Sequence, residues 1–135
     1  MKRVEQFRIQ AVGLPDAVTT LLEGVVDALD VELIRVSSIS SLADRGGPFP
    51  DDIIVAQIGA AQVDGMEMLV WLHRERVAAR CLLIQSNDPV LSSLYARFAE
   101  RLGTIHRALV VEQIENPPDP AEIRFALDRL IAADA

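Results

Sequence analysis

Ile53-Ile54-Val55-Ala56-Gln57-Ile58-Gly59-Ala60-Ala61-Gln62-Val63-Asp64-Gly65 is an apolar run that ends on a neutral amide and leads through small residues to an Asp-Gly step. Apolar side chains without polar alternation, bounded by Pro50 and Gly59, predict a strand covered on both faces, as in a parallel sheet. Asp64 is placed to cap the helix that follows, which carries Met66, Met68, Leu69 and Leu72 and ends near Val77.

Strand then helix recurs on both sides of this run. Phe7 to Val12 reads as a strand, Gly13-Leu14-Pro15 as a turn, and Asp16 as the start of a helix over 17–29 with Val18, Leu21, Leu22, Val25, Val26 and Leu29 at helical spacing. A second strand spans 31–36, and a short helix over 37–43 turns Ile39 and Leu42 inward. Arg45-Gly46-Gly47-Pro48-Phe49-Pro50 breaks the chain. Cys81 to Gln85 is a fourth buried strand. The helix over 89–102 is read with Leu91, Leu94, Tyr95, Phe98 and Leu102 on one stripe and Gly103 as its stop. A fifth strand falls at about 108–115. After Asn116-Pro117-Pro118-Asp119-Pro120, a last helix over 121–132 buries Ile123, Ala126, Leu127, Leu130 and Ile131. Five such units predict one α/β domain over 1–135: a doubly wound, five-stranded parallel sheet of flavodoxin-like order with helices on both faces.

Composition narrows the function. The 135 residues are 50% hydrophobic and 24% charged, enough for a compact core without disulfides or metals. Thirteen basic residues against twenty acidic ones give a net charge of −7, which argues against nucleic acid and anionic membranes as partners. Cys81 is the single cysteine, no signal-peptide pattern opens the chain, and no apolar run approaches the ~20 residues of a membrane span, so a cytoplasmic protein is expected.

The order of elements, Val63-Asp64-Gly65, and the segment from Glu115 through Pro120 to Ile123 together resemble the receiver domain of response regulators. The wording from Ser86-Asn87-Asp88-Pro89 to Gly103 is most similar to receivers attached to cyclic-di-GMP phosphodiesterases of the EAL type, although a stand-alone domain without that enzyme is expected. The resemblance implies a site at the carboxyl ends of the strands: an acidic pair for Mg²⁺, an acceptor aspartate, a Ser or Thr, and a lysine before a proline.

Each of those positions departs from the family's pattern. The acidic pair falls on Val12 and Gly13, or on Gly13 and Leu14 if the alignment moves by one. Gln57 stands for the acceptor, Gln85 for the hydroxyl with Ser86 one step beyond, and Asn116 for the lysine. An amide cannot form an acyl phosphate, and magnesium prefers carboxylate oxygens. Losing the acids favours losing the lysine too, because a buried ammonium without its partners is an uncompensated charge. Gln57, Gln85 and Asn116 are instead able to hydrogen-bond to one another.

Other candidates have plainer readings. Asp51 and Asp52 are expected as solvated loop acids at the opposite sheet edge, and Asp16 and Asp88 as helix caps. His73, His106 and Cys81 lack the spacing of a metal or nucleophile site. Ser37, Ser38, Ser40 and Ser41 cap and solvate a short helix, Gly46-Gly47 lacks the Lys-Ser/Thr of a phosphate loop, and Met66 and Met68 fill the core. Val70, Trp71 and Phe125 fall off the buried stripes. Trp71 and Phe125 are therefore candidate interface residues, Phe125 more so because the resemblance makes the face of the last helix a usual partner surface.

The expectation is a pseudo-receiver without enzymatic activity, metal or cofactor, which signals through protein contacts. Its partner would be a histidine kinase, another regulator or a cyclic-di-GMP enzyme, or a second copy in a homodimer. The alternatives are a phosphorelay receiver with displaced acids, using Asp16 or Asp88, and a small-ligand sensor using the amide-lined cleft.

Overall fold

The computed structural model describes residues 7–29, 31–44, 52–105 and 109–133. The breaker at 45–50, Asp51 and His106 lie outside the described residues. Among the described residues, five strands alternate with five helices: β1 (Arg8–Val12), α1 (Asp16–Leu29), β2 (Glu32–Val36), α2 (Ile39–Asp44), β3 (Asp52–Gln57), α3 (Gly65–Arg74), β4 (Ala79–Ile84), α4 (Pro89–Ile105), β5 (Leu109–Ile114) and α5 (Pro120–Ala132). All strand pairs are parallel, in the order β2-β1-β3-β4-β5. This is the predicted doubly wound, flavodoxin-like sheet, with its topological switch point between β1 and β3.

The apolar run 53–56 lacks alternation because each parity of side chain meets its own layer of helices. Ile53 and Val55 join Phe7, Ile9, Leu82 and Ile84 in a core closed by Leu22 and Val26 of α1 and Ile123 and Leu127 of α5. Ile54 and Ala56 join Cys81 and Leu83 in a second core closed by Leu42 of α2, Leu69 and Leu72 of α3, and Ala99 and Leu102 of α4. The outer strands carry charge where they meet water, at Glu32 and Arg35 on β2 and Glu112 on β5, which discourages edge-to-edge pairing.

Some inward assignments are corrected. Leu94, 61% exposed, and Phe98, 43% exposed, face solvent, and among the described side chains of α4 the buried ones are Ala99 and Leu102. At ~100° per residue, Leu94 lies well off the Ala99/Leu102 direction, so a stripe drawn on large side chains missed the small Ala99. Leu21 is likewise exposed. Helix α4 continues through Gly103 to Ile105, because glycine permits a left-handed stop without compelling one.

Two buried charges organise the amino-terminal edge of the sheet. Asp52 is 2% exposed and not a solvated loop acid. Its register opposite Arg8 brings it a two-pronged contact, Arg8 Nε to Oδ1 at 3.0 Å and Nη2 to Oδ2 at 3.1 Å, and Gln10 Nε2 donates to Oδ2 at 2.7 Å. Paired this way, a carboxylate tolerates loss of water. Arg80 on β4 is also buried; its guanidinium lies 5.2 Å from the centre of the Phe7 ring and donates to Leu130 O at 2.6 Å and to Ala133 O. A cation there satisfies end-of-helix carbonyls and complements the α5 dipole. Arg80→Ala should lower stability by about 2–4 kcal/mol in urea denaturation, while Arg124→Ala on the exposed face of α5 should change it by less than about 0.5 kcal/mol.

Candidate functional site

Crevices in this fold lie beyond the carboxyl ends of the strands, where Val12, Gly13, Gln57, Gln85 and Asn116 gather. Val12 is fully buried, and Gly13, with φ of 57°, donates its N–H to Val36 O at 2.8 Å. A Cβ placed on Gly13 would stand 2.5 Å from Val63 Cβ and 2.6 Å from Val63 Cγ2. The space beside the end of β1 is therefore taken by the Val63 side chain. Sequence reasoning treated Val63 only as part of a hydrophobic-Asp-Gly step; its packing on Gly13 is a tertiary contact between distant segments.

Gln57 ends β3 and is buried. Its Oε1 has no hydrogen-bond partner, and no bond links the side-chain amides of Gln57, Gln85 and Asn116, so the expected amide network is absent among the described residues. Their backbones, not their side chains, tie the site together. Ile58 N–H donates to Ile84 O at 2.9 Å, and Gln85 N–H donates to Ile114 O at 2.9 Å.

Asp64 acts through loop geometry, as its place in the sequence suggests. One oxygen, Oδ1, accepts from Gly59 N–H at 2.9 Å and from Met66 N–H at 3.0 Å, closing the loop after β3 and capping α3. Gly65 fits beneath because a Cβ there would meet the Gln57 carbonyl carbon at 3.0 Å. The Asp-Gly step is thus accounted for by close backbone approach.

The remaining acids have the roles expected of them or stand apart. Asp88 Oδ1 accepts from Val90 N–H at 2.9 Å and caps α4, while Ser86 Oγ accepts from Asp88 N–H at 3.1 Å. Asp16, expected as a cap, is instead the exposed first residue of α1, and its carboxylate accepts no backbone N–H among the described residues. Gln85, Ser86, Glu115 and Asn116 border an open groove of about 370 Å³ along the start of α4, and the Asn116–Pro117 peptide is cis. Among the described residues, no three His, Cys, Asp or Glu side chains converge as a metal site. The chain's single lysine, Lys2, lies outside the described residues.

Elsewhere, burial pushes the Cys81 thiol up to about 12, so it behaves as a core side chain and not a nucleophile. Ser38 Oγ accepts from Ser41 N–H at 3.0 Å, the capping role expected of that cluster. Trp71 is half-buried against the α2–α4 core, whereas Phe125 is 64% exposed beside Arg129, whose guanidinium lies 5.8 Å from its ring centre. No helix among the described residues is long and apolar enough to cross a membrane.

Gly13→Ala should cost about 2–4 kcal/mol, more than the ~1–2 kcal/mol of left-handed backbone alone, and Val63→Ala should relieve little of it, because it keeps the Val63 Cβ and backbone nitrogen that an added Cβ would meet at 2.5 and 2.7 Å. A penalty no larger than that of left-handed backbone, read by urea denaturation, would mean that Val63 does not occupy that space. Gln57→Met, which removes an unpartnered buried oxygen, should be neutral or stabilising by up to about 1 kcal/mol by the same measurement.

No family model and no curated protein sequence matches the chain. Solved structures do. A response regulator from Colwellia psychrerythraea superposes with a TM-score of 0.69 at 19% identity, covering 91% of this chain and 95% of that one. The receiver domain of Francisella response regulator 1452 gives 0.71 at 11% identity, covering 92% and 95%. A CheY-like receiver domain protein from Methanospirillum hungatei JF-1 gives 0.66 at 15% identity, covering 92% of each chain. Strand order, crossover pattern and these superpositions agree that the chain has the response-regulator receiver fold.

Proposed function

We propose that this chain is a pseudo-receiver in signal transduction: a receiver fold that is not phosphorylated by the aspartate mechanism, is not an enzyme, and acts through protein contacts. The observation that carries this reading is the packing of Val63 onto Gly13 beside a buried Gln57. A phosphoacceptor needs a carboxylate nucleophile and a second set of carboxylates for Mg²⁺. Here the first is an amide, and the place of the second is Val12 and a glycine covered by Val63. Restoring the nucleophile alone would bury a carboxylate without metal or lysine to stabilise its charge, which favours its neutral, unreactive form.

The alternatives have less support. Asp88 is engaged in capping, which weakens the case for a displaced acidic site, and the groove beside the amides is open, which weakens the case for a small-ligand sensor. For the contact reading, Phe125 offers an exposed aromatic anchor next to a groove of about 360 Å³ bordered by Glu112, Glu115, Glu122 and Arg129. Aromatic and arginine side chains are the commonest anchors of protein interfaces, and a histidine kinase, another regulator or a cyclic-di-GMP enzyme is the partner class proposed for that face.

Incubation with Mg²⁺ and a small phosphodonor should leave the intact mass unchanged, in the natural chain and in Gln57→Asp alike. A stoichiometric phosphate adduct on the natural chain would overturn the reading. Phe125→Ala should leave the unfolding free energy within about 0.5 kcal/mol of the natural value, while weakening binding of a partner on that face by more than about 1 kcal/mol in titration calorimetry.

A further inference from the structure

The groove of about 360 Å³ between β5 and α5 carries an excess of negative charge, and that excess discriminates among partners. Its ionisable lining is Glu112, Glu115, Glu122 and Arg129. Arg129 Nε lies 2.7 Å from Glu112 Oε1, so these two charges cancel. Glu115 and Glu122 are exposed, and among the described residues neither has an ion-pair partner. The polar lining is short of donors as well: Gln113 Nε2 donates to Ala96 O at 3.2 Å, which leaves Gln113 Oε1 without one.

The surroundings do not reverse the sign. On α4, at ~100° per residue, Glu100 lies beside Ala96 on the flank toward β5, whereas Arg97 projects almost directly away from the buried Ala99/Leu102 side. Beyond Phe125, on the far flank of α5, Arg124 and Asp128 pair with each other at 3.4 Å. Phe125 itself, 64% exposed, supplies the apolar wall. An aromatic ring next to uncompensated carboxylates is a receptor for arginine or lysine, whose charged head pairs with the acids while its stem packs on the ring. A second copy of this chain does not meet that demand, because a two-fold contact here sets Glu115 and Glu122 against like charges and brings only an arginine that Glu112 already holds.

We propose that the β5–α5 groove takes a basic segment of a partner protein, one that sets arginine or lysine against Glu115 and Glu122 and an apolar side chain on Phe125. The inference rests on the reading of this fold as one that acts through contacts at Phe125, and it names the chemistry of the segment that docks there. A phosphate adduct overturns the pseudo-receiver reading without touching the charge preference of the groove. An acidic apolar segment that bound through Phe125 would keep the contact reading and overturn this one.

Fluorescence anisotropy with labelled synthetic peptides of about ten residues tests it, one alternating arginine with leucine, one glutamate with leucine and one arginine with serine. The arginine–leucine peptide should bind the natural chain with a dissociation constant below about 1 mM, and the other two at least about fivefold more weakly. Glu115→Gln/Glu122→Gln and Phe125→Ala, all at exposed positions, should each weaken the arginine–leucine peptide at least about fivefold with unchanged circular dichroism. Asp27→Asn/Glu67→Gln removes the same charge from exposed sites on α1 and α3 and should leave binding within about twofold. No binding of the arginine–leucine peptide overturns the proposal, as does equal binding of either other peptide, indifference to Glu115→Gln/Glu122→Gln or to Phe125→Ala, or an equal loss with Asp27→Asn/Glu67→Gln, which would mark attraction to net charge alone.

Discussion

Burial of β3 on both faces is the constraint from which the rest of the molecule follows. A strand whose odd side chains meet α1 and α5 and whose even side chains meet α2 to α4 has no solvent face, so its backbone groups must be satisfied by neighbours on each side. Parallel neighbours require crossovers, and crossovers of one hand place helices on both faces. The reversal of strand order between β1 and β3 then opens the crevice in which Gly13, Val63 and Gln57 meet.

Packing and chemistry exclude each other in that crevice. A carboxylate beside the end of β1 needs space and water or metal; Val63 on Gly13 supplies neither. Once the acids are absent, an apolar filler contributes core burial, and a lysine in place of Asn116 would bring a charge without a partner. Gln57 retains a residual cost in its unpartnered Oε1, so its amide is not explained by a hydrogen-bond network. The loop around it keeps its shape through Asp64 and Gly65, whose roles in capping and close approach do not depend on phosphate.

Charge is concentrated structurally at the opposite edge of the sheet. Asp52 with Arg8 and Gln10 ties β3 to β1, and Arg80 ties β4 to the end of α5. Both are buried polar contacts whose loss would strand one partner, the situation in which such contacts matter most. Among the described residues, the large apolar side chains that packing leaves exposed lie on α1, α3, α4 and α5, at Leu21, Val70, Val90, Leu94, Phe98 and Phe125.

The sequence by itself determined the element order, the five-stranded parallel sheet, the caps at Asp64 and Asp88, and the identity of the residues at the carboxyl ends of the strands. These are local or periodic features: an unalternating apolar run, helical spacing, and side chains that bond to backbone two residues away. Tertiary structure alone decided that Asp52 is buried, because the pairing of Arg8 opposite Asp52 is a register between segments 44 residues apart. It likewise decided that Val63 fills the place beside Gly13 and that Gln57 stays unbonded to the other amides. On α4, periodicity marked an apolar stripe, but which side turned inward depended on the small Ala99 fitting against the sheet while Leu94 and Phe98 were left outside. Contacts across the fold depend on distance and shape in three dimensions, which spacing along the chain does not encode.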